Sequence, residues 1–431
     1  LIVTYIFLFV DKIHRAIISL VGAVAMIVVG KLLDFYKTLP DSLHDPLEGT
    51  ALGAIDWNTL GLLFGMMIIV GILEETGIFE YIAIRIAKMT KGNYWYLMIA
   101  LGWFTFISSA LLDNVTSIIF VSSITISISS ILRINPVPLL ISEAIMSGVG
   151  GMATLVGDPP NIMIGSAAGF SFLDFVIYLA PVAIVVGIGT TLIFRYLFRL
   201  DIASEVEDTQ GLMQLEEKEA IREPDILWKM GIVFVGVMIL FIVHHMLHLL
   251  PSEVAIMGAA VALIWIRPNL MEVLNRTKWD VLLFFAGLFV IVGGLEAAGV
   301  LNILAGGIGG VVAENPILAL LVVLWGAAFL SAIVDNIPFT IAFIPIIVGL
   351  DGLLGSEVVF PIWWALAAGV AIGGCATPIG ASANVYVMSL SERTGLPISF
   401  KDWLKVGVPS ALVQLVIASI LLLGMDLVGI I

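Results

Sequence analysis

Two acid–amide pairs sit in otherwise uncharged surroundings, "LLDNV" (111–115) and "IVDNI" (333–337), and a third acid interrupts "VGDPPNIMIG" (156–165). A carboxylate flanked only by apolar or small residues costs several kcal/mol unless it is paired, hydrated or protonated, so Asp113, Asp158 and Asp335 read as proton-coupling groups and solute ligands. Asn114 and Asn336 add donors and acceptors beside two of them, and Thr116 and Thr340 add hydroxyls. Thr154 and Asn161 stand around the third acid. Thr377, Ser382 and Asn384 occupy the related stretch "GGCATPIGASANV" (373–385), where Ala381 replaces the acid. Asp or Asn at a turn also caps the helix that follows, which is the plain structural alternative.

These residues need elements that bring them together in a particular solvent. The 431-residue chain is 60% hydrophobic and 12% charged, with a mean hydropathy of +1.13. That is far more apolar than a soluble domain. Uncharged runs long enough to span a bilayer as helix recur throughout, so the fold class is an all-α polytopic membrane protein. The chain also repeats itself. Residues 56–80, 108–120, 150–165 and 171–181 match 278–302, 330–343, 373–388 and 399–409, the last three at offsets of 222, 223 and 228. Each copy reads as five crossings. In the first they are 1–12, 16–31, 57–74, a broken 137–168 and 175–199; in the second, 229–248, 252–267, 279–296, a broken 360–390 and 405–429. The Asp-Asn stretches, 94–131 and 316–350, read as re-entrant hairpins of two short helices each. About ten transmembrane helices, two hairpins and two discontinuous helices result.

An odd number of crossings per copy inverts the copies: a first repeat over 1–199, an acidic linker over 200–228 and a second repeat over 229–431. With the linker inside, 17 of the 19 basic residues, Arg15 and Lys278 among them, fall on the cytoplasmic side. The expected location is the cytoplasmic membrane. In hydrocarbon, irregular backbone survives only around a protein-lined cavity. Pro159 and Pro160 should stop a helix near 156 and let it resume after 161, aiming free helix ends into the protein. The counterpart should break at Pro378 and Gly380.

Other features point to less. A net charge of −14 argues against nucleic-acid binding, and one cysteine, Cys375, forms no intrachain disulfide. No cofactor or metal site is expected. His244 and His248 have a metal-pair spacing but lie at an outer helix end, where an interfacial role is expected. The linker, with nine acids in 201–225, reads as a solvated connector, and 78–92 as a helix at the cytoplasmic interface. No nucleotide-binding loop occurs, so an ion gradient or the solute's own gradient must supply the energy.

"LLDNVTSII", "GDPPNIMIG", "IVDNIPFT" and "TPIGASANV" together resemble the signature segments of the ArsB/NhaD permeases, in the superfamily of ion transporters that includes dicarboxylate carriers. The "GDPPN" and "GASAN" style is also similar to that of melanosomal P-protein-like sequences. The resemblance covers essentially the whole chain and implies a proton-coupled exporter of arsenite or antimonite, a small inorganic solute, working by alternating access. Sodium/proton exchange, or transport of another small anion or metabolite, are the alternatives. Dicarboxylates rank low, because their Ser-Asn-Thr hairpin signatures are missing and acids stand at both tips. The resemblance further implies a homodimer for many members, and a cytoplasmic ATPase partner for some.

Overall fold

A computed structural model describes residues 14–33, 50–203, 209–300 and 314–431. The expected first crossing, 1–12, lies outside the described residues, as does most of the acidic loop that follows the second. The first repeat contributes α1 (Arg15–Leu32), α2 (Trp57–Glu75), α3 (Ile78–Met89), α4 (Tyr94–Leu111), α5 (Asn114–Leu132), α6 (Val137–Gly151), α7 (Pro159–Ala168), α8 (Phe172–Tyr178) and α9 (Ala180–Leu197). After the linker come α10 (Pro224–Val243), α11 (Pro251–Ile266), α12 (Leu270–Arg276), α13 (Trp279–Ala297), α14 (Pro316–Ile333), α15 (Asn336–Leu354), α16 (Ser356–Ala376), α17 (Ser382–Arg393) and α18 (Phe400–Leu427). The described residues form no strand, and eleven of these helices are long and apolar enough to cross a membrane.

Four of the eleven are the hairpin arms α4, α5, α14 and α15, which have 18 or 19 residues each rather than the short lengths expected. At 1.5 Å per residue each arm runs about 27 Å. The first break also differs from expectation. α6 ends at Gly151 and α7 starts on Pro159, so the unwound stretch is 152–158. A proline fits the first turn of a helix, where its missing N–H has no partner to lose, so the Pro pair starts α7 rather than lying in the gap. The second break, 377–381, falls where Pro378 and Gly380 place it. Past α7 the chain turns by 109° into α8 before entering α9, so the expected single crossing 175–199 is two helices.

The described helices pack as two groups. One contains both hairpins, both broken helices, α9 and α18, with α6 and α16 crossing at its centre. The other consists of helix pairs that exchange partners between the repeats. α1 lies along α13 of the second repeat, and α11 lies along α2 of the first. A β-carbon on Gly65 would approach the Ala255 backbone to 2.6 Å, and one on Gly287 would approach Ser19 to 2.7 Å. Gly65 and Gly287 are repeat equivalents, so one small-residue crossing is used twice, as close helix packing in lipid requires. Glu75, at the end of α2, pairs with Arg276 at 3.3 Å just before α13 begins. The C-terminal end of α2 and the start of its sequence-matched helix α13 therefore lie close together.

The described part of the linker is not simply solvated. Leu212 is fully buried, Lys88 of α3 pairs with Glu217, and Arg222 reaches Glu80 at 2.8 Å while its N–H donates to the Thr76 carbonyl at 3.1 Å. The Lys88 ammonium holds the Glu217 carboxyl below its ordinary range. The linker thus docks beside the C-terminal end of α2 and marks that face of the molecule.

Replacing Gly65 or Gly287 with Leu should lower stability by about 1–3 kcal/mol, because neither crossing has room for a side chain. The thermal midpoint of purified protein in detergent should fall for each variant, while Gly231→Leu, at a glycine open on its outer side, should not lower it.

Candidate functional site

Both hairpin tips and both breaks meet at one cavity of about 410 Å³. Its walls include Asp113 and Asn114 from the first tip, Asn336 from the second, Asp158 from one break and Ser382 from the other. Asp113 and Asp335 do cap the helices that follow them: Thr116 N–H donates to Asp113 at 2.8 Å and Ile337 N–H to Asp335 at 3.1 Å. Capping occupies only part of each carboxylate. Thr116 Oγ1 also donates to Asp113, and Lys278 Nζ lies 3.7 Å from the Asp113 carboxylate and donates to Thr116 Oγ1 at 2.9 Å. Arg15 pairs directly with Asp335, and Ser382 Oγ lies near both, 3.5 Å from the guanidinium and 3.4 Å from the carboxylate.

Asp158 is held differently. It stands at the start of α7 with extended backbone but caps nothing with its side chain. Instead the Asn336 amide donates to it at 3.2 Å, and the Asn114 amide meets it from the other tip. Asn114 in turn accepts from Ser109, whose hydroxyl also reaches the Ser147 carbonyl. Each hairpin tip thus presents its Asn to the one acid of the break.

The remaining expected residues serve the backbone around this cavity and do not line it. Asn161 donates to the carbonyls of Gly151, Met152 and Thr154 at 2.9–3.2 Å, and Asn384 donates to those of Gly374 and Thr377 at 2.8 and 2.9 Å. These are carbonyls at the C-terminal ends of α6 and α16 and in the breaks, which unwinding leaves without helical partners. Thr154 ties the first break to the Ala110 carbonyl, and Thr377 ties the second to the Ala332 carbonyl. Thr340, fully buried, donates to the Asn336 carbonyl at 2.7 Å. Cys375 is buried where α16 crosses α6, 3.6 Å from the Ile145 carbonyl.

Three charged residues escaped the sequence reading. Arg15 and Lys278 were assigned only to the basic side of the topology, and no spacing in the chain shows that they reach the tips. Glu143 is fully buried in α6, with Thr125 Oγ1 at 2.5 Å. Its uncharged flanks, "VPLLISEAIMSG", carry the same signal that singled out Asp113.

The cavity opens on the linker's face. His14 and Asp280, 3.7 Å apart and more than half exposed, stand at its mouth, close to the Glu75–Arg276 pair. A second cavity of about 320 Å³ lies at the opposite end of α2, with Asn58, Leu62, Ile162, Pro251 and the 244–250 turn in its walls. Ile162 borders both cavities. Asn58, Leu62 and Ile162 are the repeat equivalents of Asp280, Phe284 and Val385, which line the first. On the far face Asn58 bridges Ser166 at 3.3 Å and the Ser252 N–H at 3.1 Å, tying α2 to α7 and α11. His244 is a clasp in this region: its ring nitrogens face the Leu249 carbonyl at 2.8 Å and the Phe172 N–H at 3.4 Å.

A family model described as citrate transporter (CitMHS) matches residues 5–369. The chain belongs to the citrate transporter family. An uncharacterised transporter of Mycobacterium tuberculosis is 38% identical over 98% of this chain and 96% of its own length. Another from Synechocystis is 30% identical over 95% of this chain and 92% of its own. The human P protein is 28% identical over 95% of this chain and 57% of its own length. The crystal structure of the Alcanivorax borkumensis YdaH transporter shares the fold, with a TM-score of 0.66 at 16% identity over 97% of this chain and 99% of that one.

Membership in this family corrects the ArsB/NhaD assignment, and export of arsenite or antimonite falls with it. The geometry explains the error. Several of the signature residues behind that resemblance, Asn161, Thr377 and Asn384, bond backbone carbonyls, so they report the architecture more than the solute. The low rank of dicarboxylates rests on missing Ser-Asn-Thr signatures and on acids at both tips, and the second argument leaves out the cations that meet those acids.

Replacing Asn161 or Asn384 with Ala should leave at least two break carbonyls unpaired and cost about 1–3 kcal/mol. Thermal unfolding of the purified variants should show the loss for each. An equal midpoint to wild type would mean that other donors can take over these carbonyls.

Proposed function

We propose that this chain is a secondary transporter that moves a small carboxylated anion across the membrane by alternating access, with protons as the coupling ions. The observation that carries this reading is the single cavity where both tips, both breaks and two cations converge. Its volume suits a small solute, and a few polar groups stand in it amid apolar walls from α2 and α13, as in binding sites generally. Membership in a family described by citrate transport favours a carboxylated solute over a bare cation.

Two cavities at repeat-equivalent positions, on opposite faces and separated by Ile162, support alternating access. In the form described here the linker-side cavity reaches the tips, and the Asn58 contacts hold the far side together. Exchange of the two arrangements would open the far cavity and close the near one. The charge distribution orients the linker face to the cytoplasm. Asp113, Asp158 and Asp335 are the groups proposed to carry protons, and Asn114, Asn336 and Ser382 the neutral solute contacts beside them.

Purified protein in proteoliposomes should take up radiolabelled citrate saturably, driven by an imposed pH difference, and a matched phosphate assay should show far less flux. Asp158→Asn should remove the pH drive while the protein still inserts. Single cysteines at Met67 and at Ser166 should be labelled from opposite faces, with citrate shifting the balance between them. Absence of flux for citrate and for smaller carboxylates would overturn the reading of the solute, and labelling of both cysteines from one face in every condition would overturn alternating access.

A further inference from the structure

The two cations of the cavity are placed in a way that the fold itself does not call for. Asp113 and Asp335 are repeat equivalents, but their partners are not. Lys278 corresponds to Asp56, which caps α2 by accepting the Asn58 and Thr59 N–H groups at 3.0 and 3.1 Å. Arg15, by the register that matches Ser19 with Ala255, corresponds to Pro251. A requirement of the repeated architecture would appear in both copies; these cations appear once each and on one face only. They come together because α1 packs along α13, and the His14–Asp280 contact shows that the two helices start side by side.

Arg15 stands between its acid and the cavity, whereas Lys278 and Asp113 line the cavity side by side. The Arg15 and Lys278 side chains are 28% and 30% exposed, against 9% and 25% for Asp335 and Asp113. Arg15 lines the cavity, and Asp335 sits behind it. Lys278 is held loosely, at 3.7 Å from its carboxylate, with its shorter contact to a neutral hydroxyl. A guanidinium with several N–H donors and an ammonium with three can turn toward an anion arriving from the mouth.

We propose that Arg15 and Lys278 are the anion-recognition pair of this transporter, each exchanging its hairpin-tip carboxylate for a carboxylate of the solute. The inference rests on the carboxylated-anion reading above and names the residues and charge exchange that would accomplish it. When a solute carboxylate takes Arg15, Asp335 is left facing Asp158 and Ser382 with no cation among the described residues; when one takes Lys278, Asp113 is left facing Asp158 and Thr116. Among the described residues, the other charged groups at the cavity are His14 and Asp280, which face each other at the mouth. Three acids and a polycarboxylate in one cavity repel one another, and a proton on each released tip acid restores the balance. Anion entry and proton uptake are then two sides of one exchange of partners. The same exchange detaches both hairpins from α1 and α13, so the loaded site is freed from the helices that held it.

The test uses full-length protein in proteoliposomes with citrate as the probe, measuring citrate affinity and protons moved per citrate. Arg15→Gln and Lys278→Gln should each weaken citrate binding about tenfold to a hundredfold, the range for a hydrogen bond to a charged group. Lys278→Arg should restore most of the loss. Asp335→Asn and Asp113→Asn should do the opposite, tightening citrate binding at neutral pH and lowering the protons per citrate by one each. A purely structural ion pair would not make the two partners differ in sign. Citrate affinity within twofold of wild type in both Gln variants, or an unchanged proton ratio in both Asn variants, overturns the inference while leaving carboxylate transport standing. The two pairs are independent, so misfolding of a variant at one still leaves the other to decide. A wild-type protein that neither binds nor moves any carboxylate overturns the functional reading and this inference with it.

Discussion

Unwinding a helix inside an apolar core leaves carbonyls that neither water nor a regular helix can satisfy, and the centre of this protein is arranged around that constraint. Asn161 and Asn384 each gather two or three such carbonyls onto one amide. Thr154 and Thr377 then pin each break to the first arm of its own hairpin. Only with the breaks fixed can α7 and α17 start where they do, with Asp158 and Ala381 in nearly identical extended conformations. One backbone framework is built twice, and at the start of the resumed helix the copies differ in chemistry, Asp158 standing where the other has Ala381. The Asn of both tips meets the acid at 158, so this one side chain already makes the centre of a repeated scaffold asymmetric.

Charge compensation sets the second level. The three central acids are balanced in three ways: Asp335 by a guanidinium, Asp113 by an ammonium and a hydroxyl, and Asp158 by neutral amides alone. Both cations belong to the exchanged helix pair, whereas all three acids belong to the tips and a break. The electrostatics of the site therefore depends on how the two helix groups sit against each other. That dependence would give the proposed transporter a physical link between solute, proton and conformation, since charged groups that cross between groups of helices cannot keep their partners if the groups move.

Much of this architecture is legible in the chain. Among the described residues, most crossings, the hairpin arms and the second break fall close to where apolar runs, Asp-Asn pairs and Pro378 place them, because lipid leaves few alternatives to helix. The Pro159–Pro160 pair was read as the gap itself, whereas prolines suit the first turn after it. Arm lengths were underestimated, since a turn in sequence carries no information on how far the arms run. The arsenite expectation comes from the resemblance alone, and residues in the segments that carry it, Asn161 and Asn384 among them, face backbone and carry no information on the solute. Arg15 and Lys278 were invisible as site residues, because their role arises from a packing of α1 on α13 that joins residues more than 250 positions apart. Glu143 carried a readable signal and was passed over.

That packing also bears on how such a chain is made and how it arose. α1 emerges from the ribosome long before α13, its packing partner, and α2 waits for α11. Neither copy can bury its own small-residue stripe, so the first must remain in the bilayer with open faces until well over half of the chain has been synthesised. Isolated halves would lack the crossings at Gly65 and Gly287 unless they met each other. The arrangement is that of two antiparallel subunits that traded arms, now joined by a linker into a single polypeptide. Fusion of an ancestral pair with opposite orientations would make the trade permanent, and it would free the copies to diverge at positions such as Asp158, Arg15 and Lys278, whose counterparts differ.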